Sequence, residues 1–231
     1  MKCCTAPGCR AFESAFDAAY AEKDLAAYRK HGPAKATRLL LQAIRSHVDI
    51  RDATLLDIGG GVGAIQHELF AAGLGRAVDV DAASAFLAAA RREAERRGFA
   101  DRVTYLHGDF VPLAEAVAPA DVVTLDRVIC CYADMPRLVG AAAMRARRVL
   151  GLVFPRDTWW MRIGAWVVNL FERFQPDPLS FHVHAAEAVD VVAAQHGLAL
   201  GFHRNAGLWQ VRLYVPDQRA DAFVQAGAGG M

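Results

Sequence analysis

The segment from Thr54 to Gly63 joins a short apolar run to a glycine cluster, and a helical pattern follows directly. The cluster holds Gly59, Gly61 and Gly63. Glycine permits a tight turn and lets a ligand approach the backbone, because no Cβ stands in the way. The segment therefore predicts a buried strand, a ligand-binding turn and a helix in succession, which is typical of α/β proteins.

Short β-rich runs alternate with alanine-rich helical stretches along most of the chain. The predicted strands span 54–58, 77–80, 103–107, 122–125, 150–154, 199–204 and 208–215. The main predicted helices span 64–72, 83–97, 136–148 and 185–196. This alternation predicts a mostly parallel seven-stranded sheet with helices on both faces. Asn205-Ala206-Gly207 predicts a hairpin, so we expect the last strand to be antiparallel.

The regions outside the alternation predict how the chain is organised. Apolar residues recur at helical spacing from about 11 to 46, and Gly32-Pro33 predicts a break between two helices. The length suits one substantial domain. The expected parts are a helical extension or lid at 1–50, an α/β catalytic domain at 51–216 with an apolar insertion around 156–184, and a tail at 217–231.

Charge and hydropathy restrict the classes of binding partner and the cellular location that we expect. Lys and Arg number 26 against 25 Asp and Glu, which does not suggest a surface that neutralises phosphates. We therefore expect a small-molecule substrate and no nucleic acid. No run of about eighteen apolar residues and no signal-peptide pattern is present, so we expect a cytoplasmic protein without a membrane span. In that compartment the cysteines are expected to be thiols.

Acidic residues follow the first three predicted strands in register. Asp57 precedes the glycines, Asp81 ends the second strand, and Asp109 follows the third. A carboxylate at Asp81 can accept both hydroxyls of a ribose, and its spacing to the next helix fits this role better than that of Asp79. Asp109 can accept from an adenine amine while Phe110 covers the ring. The glycine spacing differs from the dinucleotide fingerprint and leaves no evident pyrophosphate cradle.

Together these motifs resemble the class I S-adenosylmethionine (SAM) methyltransferase family over roughly 54–215. The resemblance is carried by Asp57-x-Gly59-x-Gly61-x-Gly63, Asp81 with Leu87 and Ala90, Gly108-Asp109-Phe110, and the strand that ends at Asp126. It implies a Rossmann-like fold in which the glycine loop lies under the methionine part of SAM. It also implies that the second acid holds the ribose, the third holds the adenine, and S-adenosylhomocysteine (SAH) is the product. Asp126 then leads into the catalytic side of the pocket.

Candidate catalytic residues follow the fourth strand and the insertion. Arg127 and Tyr132 lie where a Rossmann-like sheet presents side chains to the reacting partner. His182 and His184 share one face of an extended segment, and either could act as a general base near neutral pH. A salt bridge, a packed tyrosine and exposed structural histidines are the alternatives. There is no Asn-Pro-Pro-Tyr-like motif, which further disfavours a nucleic-acid substrate.

The insertion from 156 to 171 is richer in aromatic and aliphatic residues than a surface helix requires. It could wall a pocket for a bulky apolar substrate. A core helix and a homodimer face are the main alternatives. A membrane-surface helix is less favoured, because the segment has few cations.

Five cysteines form two groups whose role the sequence leaves open. Cys3, Cys4 and Cys9 lie on an N-terminal segment that could fold over the mouth of the active site, and Cys130 and Cys131 follow the fourth strand at that mouth. If the groups converge, their thiolates could hold zinc or another soft ion, or capture a thiophilic metalloid as methyl acceptor. The spacing matches no standard zinc motif, since adjacent cysteines cannot easily share one tetrahedral ion. Small buried side chains are the alternative.

These features predict a SAM-dependent methyltransferase that acts on a small, apolar acceptor. The sulfonium is already activated, so the protein's work is mainly alignment and desolvation, with a base for poorly ionised acceptors. The layout of the insertion weakly resembles methyltransferases that esterify tetrapyrrole carboxylates. A thiol or metalloid methyltransferase, a non-catalytic SAM-binding module and a NAD-dependent oxidoreductase remain alternatives, the last disfavoured by the glycine spacing.

Overall fold

The computed structural model describes residues 7–217, with side chains from Arg10 onward. The helices of this part are α1 Pro7–Ala15, α2 Ala18–His31, α3 Lys35–His47, α4 Ala64–Ala71, α5 Ser84–Arg97, α6 Phe110–Leu113, α7 Met135–Ala143, α8 Trp159–Glu172 and α9 Ala186–Gln195. The strands are β1 Thr54–Ile58, β2 Arg76–Asp81, β3 Val103–His107, β4 Ala120–Asp126, β5 Ala146–Pro155, β6 Leu198–Ala206 and β7 Trp209–Pro216.

The seven strands form one sheet in the order β3-β2-β1-β4-β5-β7-β6. The pairs among β1 to β5 are parallel, whereas β7 is antiparallel to both β5 and β6. The structure therefore confirms the mostly parallel seven-stranded sheet with an antiparallel last strand. The strand order reverses between β1 and β4, and such a switch point opens a crevice at the carboxyl ends of the strands.

Helices cover both faces because neighbouring side chains of a buried strand point to opposite sides. In β1, Leu55 packs in a core with Leu40 of α3 and Leu69 of α4. The next residue, Leu56, packs in a second core with Leu138 of α7 and Val189 of α9. Each face of the sheet thus buries its own apolar layer. The candidate functional site lies at the edge of the sheet, between the two layers.

Two boundaries differ from the sequence prediction. The helix predicted over 136–148 ends at Ala143, and β5 begins at Ala146, which pairs with Ala120 of β4. Sheet pairing overrides the helical preference of this alanine- and arginine-rich stretch. The hairpin turn lies at Gly207 and Leu208 rather than at 205–207.

The N-terminal region contains a break that sequence spacing did not predict. The break at Gly32-Pro33 is confirmed, since α2 ends at His31 and α3 begins at Lys35. A second break lies before α2, where the side chain of Asp17 accepts a hydrogen bond from Tyr20 N at 2.8 Å. This is the usual cap of a helix N-terminus. Among residues 7–217, no helix is long and apolar enough to cross a membrane.

Candidate cofactor and acceptor site

The glycine loop connects β1 to α4 at the sheet's carboxyl edge and borders free space. Gly59 and Gly61 have φ values of 64° and 58°, in the left-handed region that favours glycine. A Cβ on Gly59 would lie 2.5 Å from Val128 Cγ2, so the loop that follows β4 packs directly on it. A Cβ on Gly61 would meet nothing within 4 Å. The backbone at Gly61 is therefore open to a ligand.

Asp81 stands at the end of β2, next to the open glycine. Its Oδ2 accepts from Gly61 N at 3.0 Å, and its Oδ1 accepts from Ala83 N at 2.8 Å. Each carboxylate oxygen can accept more than one hydrogen bond, so both retain capacity for a ligand's hydroxyls. Burial raises the pKa of Asp81 to about 6.

Asp57 and Asp79 lie below the loop and are buried. Thr124 Oγ1 donates to Asp57 Oδ1 at 2.7 Å, and Gln66 Nε2 donates to Asp79 Oδ2 at 2.8 Å. Burial raises the pKa of Asp57 to about 7, and burial together with the Asp57 charge raises the pKa of Asp79. Asp79 therefore lies beneath the glycine loop, whereas Asp81 bonds to the open backbone at Gly61.

Asp109 caps the short helix α6 and contacts a tyrosine from the loop after β4. Its Oδ1 accepts from Val111 N at 3.0 Å, and Tyr132 Oη donates to its Oδ2 at 3.1 Å. Burial and Asp109 raise the pKa of Tyr132 to about 12, so its hydroxyl stays protonated. Tyr132, predicted on the acceptor side, thus lies beside the proposed adenine acid. Phe110 is a correction: it is only 3% exposed and packs in the core, so little of its ring could cover an adenine.

The end of β4 carries a charged cluster that includes groups from the N-terminal helices. Asp126 accepts from Thr37 Oγ1 of α3, and it pairs with Arg127 Nε at 3.1 Å. Arg127 has a φ of 64°, which is uncommon for a residue other than glycine. Asp24 of α2 lies close enough to Arg127 that the guanidinium opposes the rise that burial causes in the pKa of Asp24. Sequence reasoning missed Asp24 and Thr37, because nothing local links helix residues to a distant strand end.

Glu13 of α1 lies at the same carboxyl edge of the sheet, but near the ends of β2 and β3. Its carboxylate accepts from Ser84 Oγ at 2.9 Å and lies 2.7 Å from His107 Nε2. Phe16 packs on Phe86 of α5, with ring centroids 5.4 Å apart. These contacts bring α1 next to the ends of β2 and β3, where Asp81 lies, and the sequence contained no signal for them.

The two predicted histidines lie against the loop that follows β4, but in different settings. His184 Nε2 lies 2.8 Å from Ile129 O and 3.1 Å from Tyr132 O. Both partners can only accept, so this nitrogen carries a proton and His184 holds the loop. His182 N donates to Cys130 O at 2.6 Å, which leaves the His182 ring outside these bonds. Burial and the neighbouring His184 lower the pKa of His182.

Cys130 and Cys131 form a close pair in this loop, with their Sγ atoms 3.9 Å apart. The hydrogen bond with Cys131, together with burial, raises the pKa of the Cys130 thiol and keeps it protonated. Cys3 and Cys4 lie outside the described residues, as does the side chain of Cys9. Within the described part of the chain, no group of three or more His, Cys, Asp or Glu side chains could hold a metal ion.

The apolar insertion forms α8 and is not a core helix. Ala165 is its buried residue, whereas most of its large apolar side chains are exposed. The explanation of the insertion as part of the core is therefore wrong, because too little of its apolar surface is removed from water.

Comparison with known proteins identifies the domain. Residues 56–151 match the model of the methyltransferase domain family. This span runs from β1 into β5 and includes the glycine loop together with Asp57, Asp81, Asp109 and Asp126. No curated protein matches the sequence at a significant level.

Solved structures share the fold at low sequence identity. Magnesium protoporphyrin IX methyltransferase from Synechocystis PCC 6803 with bound SAH has a TM-score of 0.64 and 16% identity, over 78% of this chain and 81% of that one. An O-methyltransferase family protein from Burkholderia thailandensis has a TM-score of 0.66 and 18% identity, over 89% and 63%. A chain of the complex between the Haloferax volcanii Trm112 methyltransferase activator and a candidate methyltransferase gives 0.68 and 14%, over 89% and 97%. The chain therefore contains a region that matches the methyltransferase domain family, and its overall fold is shared with solved methyltransferase structures.

Proposed function

We propose that the protein transfers the methyl group of SAM to a small, largely apolar acceptor. The observation that carries this is the open backbone at Gly61 beside Asp81, whose oxygens retain acceptor capacity. The loop at 127–132 packs on the glycine loop and forms the other side of the opening. A cofactor bound on the glycine side would therefore face an acceptor bound beside this loop.

The residues at this edge suit each part of SAM. Asp81 would accept the ribose hydroxyls, and Asp109, oriented by Tyr132, would accept from the adenine amine. The glycine loop would lie against the methionine part. Asp57 lies below that loop, where its carboxylate would favour the positive charge of the cofactor. When bound, SAM supplies a methyl group already activated on a sulfonium.

The N-terminal helices are proposed to act as a lid on this pocket. Glu13 ties α1 to Ser84 and His107 beside Asp81, and Thr37 ties α3 to Asp126. A cover over both ends of the opening would exclude water and align the two reactants, which is the main task of the protein in a displacement at an activated methyl group.

His182 is the proposed base for an acceptor that must lose a proton. Its lowered pKa keeps the ring neutral near pH 7, and its side chain is not committed to the loop. The ring of His184 already donates a hydrogen bond to the loop carbonyls, so we assign this residue a positioning role. Arg127, paired with Asp126, would orient a polar group of the acceptor. Val128 and Phe181, both half-buried, would supply apolar walls.

Calorimetric titration tests the cofactor, and a product assay tests the acceptor. SAM and SAH are expected to bind and NAD is not; tight NAD binding without SAM binding would contradict the proposal. SAH formation is then measured with panels of small phenols, carboxylic acids, amines and thiols. Turnover with an oxygen acceptor is expected to fall strongly at neutral pH in His182→Ala and to recover as the pH rises toward the acceptor's own pKa. His184→Ala should lower turnover without that recovery.

A thiol or metalloid acceptor is the second candidate, and the closeness of the Cys130 and Cys131 sulfurs favours it. It predicts SAH formation with arsenite or small thiols that is lost in Cys131→Ser. Binding of SAM without turnover on any class would instead indicate a non-catalytic module. We also propose a cytoplasmic location, where reducing conditions keep both thiols free.

A further inference from the structure

Helix α8 exposes more large apolar side chains than any other helix of the described part of the chain. The exposed ones are Trp159, Trp160, Ile163, Trp166, Val167, Val168, Leu170 and Phe171, followed directly by Phe174. Monomeric proteins rarely expose contiguous apolar patches beyond a few hundred Å². We therefore expect a binding partner to cover the apolar surface of α8.

The side of α8 that rests on the domain is its more polar side. Met161, Ala165 and Asn169 recur every four residues, so they share one side of the helix. Ala165 is buried there, and Asn169 exchanges two hydrogen bonds with the backbone of Phe181, at 2.7 and 2.8 Å. Glu172 accepts from Leu179 N on the same side. The helix is thus anchored by polar bonds and turns its apolar side away from its own domain, the reverse of an ordinary surface helix.

The outward side carries a regular stripe. Its members, separated by four, three, four and four residues, are Trp159, Ile163, Trp166, Leu170 and Phe174. Apolar residues at alternating spacings of three and four form the seam by which two helices pack together. The spacing therefore fits a second helix better than a flat surface or a small ligand.

The exposed area is sufficient for a stable interface. The five aromatic side chains of α8 and Phe174 are between 39% and 83% exposed. A Trp or Phe buries roughly 150–250 Å², so these rings alone leave on the order of 600 Å² of apolar surface in water. The four aliphatic residues add to this. A standard interface buries about 800 Å² on each partner, so the patch can supply most of one.

Charge on the helix disfavours a lipid surface as the occupant. Interfacial helices that bind anionic membranes carry Lys and Arg along the polar face. Within Trp159–Glu172 the charges are one Arg and one Glu. Arg162 is already paired with Asp157 at 2.6 Å. The polar face of α8 moreover lies against its own domain, so it cannot face lipid headgroups.

We propose that α8 pairs with α8 of a second copy and that the protein is an isologous homodimer. A two-fold pairing buries the same stripe on both copies and satisfies both patches at once. The indole of Trp166, near the middle of the stripe, takes the central position in which tryptophans contribute most to binding. This inference does not depend on the proposed acceptor.

Sedimentation velocity over a range of protein concentrations tests the proposal. The unmodified chain is expected to be a dimer at micromolar concentration. Trp166→Glu, and separately Ile163→Glu, should be monomers, because dimerisation would bury the introduced carboxylate between the two α8 helices. Val191→Glu is the matched control: Val191 is 56% exposed on α9, and its variant should remain dimeric. An unchanged far-ultraviolet circular dichroism spectrum of each variant establishes that the fold is retained.

Flotation with vesicles of neutral and of anionic phospholipid distinguishes the rival occupant. The dimer is expected to remain in solution with both vesicle types. A protein that is monomeric at every concentration overturns the proposal, as does a dimer that Trp166→Glu leaves intact. Vesicle binding by a monomer, lost in Trp166→Glu, would assign the stripe to a membrane surface instead.

Discussion

Asp57 and Asp79 lie opposite each other on the adjacent parallel strands β1 and β2, and both carboxyl groups are buried. Asp57 Oδ2 and Asp79 Oδ1 have no hydrogen-bond partner. A Cβ placed on Gly60 would lie 3.0 Å from the first of these oxygens and 2.6 Å from the second, so both face the same point beneath the glycine loop. The pKa of each is raised, chiefly by burial, and the pair therefore retains a proton close to neutral pH.

The first prediction concerns stability against pH. The pKa of Asp57 is about 7 in the folded state against 3.8 in the unfolded chain, so the folded state binds an extra proton between these values. Its contribution to stability is fully present below the unfolded pKa and is lost as the pH rises through 7. The ligand-free protein should therefore unfold at a lower temperature at pH 8.5 than at pH 6.5. His67 opposes this loss only weakly, by about 0.4 kcal/mol, because its folded pKa is lowered to about 4 and only its unfolded value of 6.5 lies at the start of the interval.

Asp79→Asn should remove most of that loss. An amide carries no charge, and its NH₂ group can donate to the unpaired oxygen of Asp57. We expect a gain of roughly 1–3 kcal/mol at pH 8.5, or about 3–8 °C in melting temperature. Calorimetry at both pH values measures it, with the exposed Asp101→Asn as control. Equal losses in the wild type and Asp79→Asn from pH 6.5 to 8.5 would show that the pair does not share a proton.

The second prediction concerns Asp81 and the cofactor. Hydrogen bonds to a charged group contribute about 1.5–3 kcal/mol, so Asp81→Asn should weaken SAM binding by roughly 10- to 100-fold. Because burial raises the pKa of Asp81 to about 6, affinity in the unmodified protein should also decline as the pH falls below 6. Calorimetric titration from pH 5 to 8 measures both effects. A pH-independent affinity would argue against Asp81 as the ribose ligand.

The third prediction uses two glycines that differ only in location. Gly61 and Gly98 have φ values of 58° and 80°, and a Cβ at either would meet nothing within 4 Å. Alanine at each should cost about 1–2 kcal/mol, because of the left-handed backbone. SAM affinity should drop at least tenfold in Gly61→Ala and stay unchanged in Gly98→Ala, which ends α5 away from the loop. Equal affinities in the two variants would remove Gly61 from the cofactor contact.

The fourth prediction concerns the support of the N-terminal helices. The carboxylate of Glu93 on α5 is fully buried and accepts hydrogen bonds from Arg29 of α2, Arg96 and Arg97. These arginines hold the pKa of Glu93 below its usual range. Its contribution is therefore present above the unfolded pKa of 4.5 and lost as the pH falls below it.

Glu93→Gln should destabilise the protein by roughly 2–3 kcal/mol at pH 7, because three arginines lose their shared partner while remaining partly solvated. Urea unfolding measures this. Glu22→Gln is the control, since Glu22 pairs with Arg92 at the surface and should change stability by less than about 1 kcal/mol. A loss no larger than that of the control would mean that solvent screens the Glu93 cluster.

The cofactor half of the site could be predicted because its residues are local. Asp57, the glycines, Asp81 and Asp109 lie at or just beyond the ends of their strands, and parallel strands bring their carboxyl ends to one edge. Strand runs and turn residues therefore sufficed to predict that these groups lie close together. The same reasoning predicted the antiparallel end of the sheet from the turn that joins β6 and β7.

Side chains supplied by distant helices could not be predicted in this way. Glu13 and Thr37 reach the pocket only because α1 and α3 pack where they do, and a helical repeat does not state which strand end it meets. The same applies to Phe110. Its position after Asp109 in the sequence predicted a place beside the adenine, but tertiary packing buries its ring in the core.

By itself, the sequence determined the fold class, the placement of the cofactor motifs at the ends of successive strands and the apolar character of the insertion, because each follows from short-range periodicity and turn chemistry. Only the tertiary structure decided which way that insertion faces. Composition cannot say which side of an apolar helix its own domain will cover. The bonds of Asn169 to Phe181 settle it, since they anchor the polar side of α8 and leave the tryptophan stripe outward.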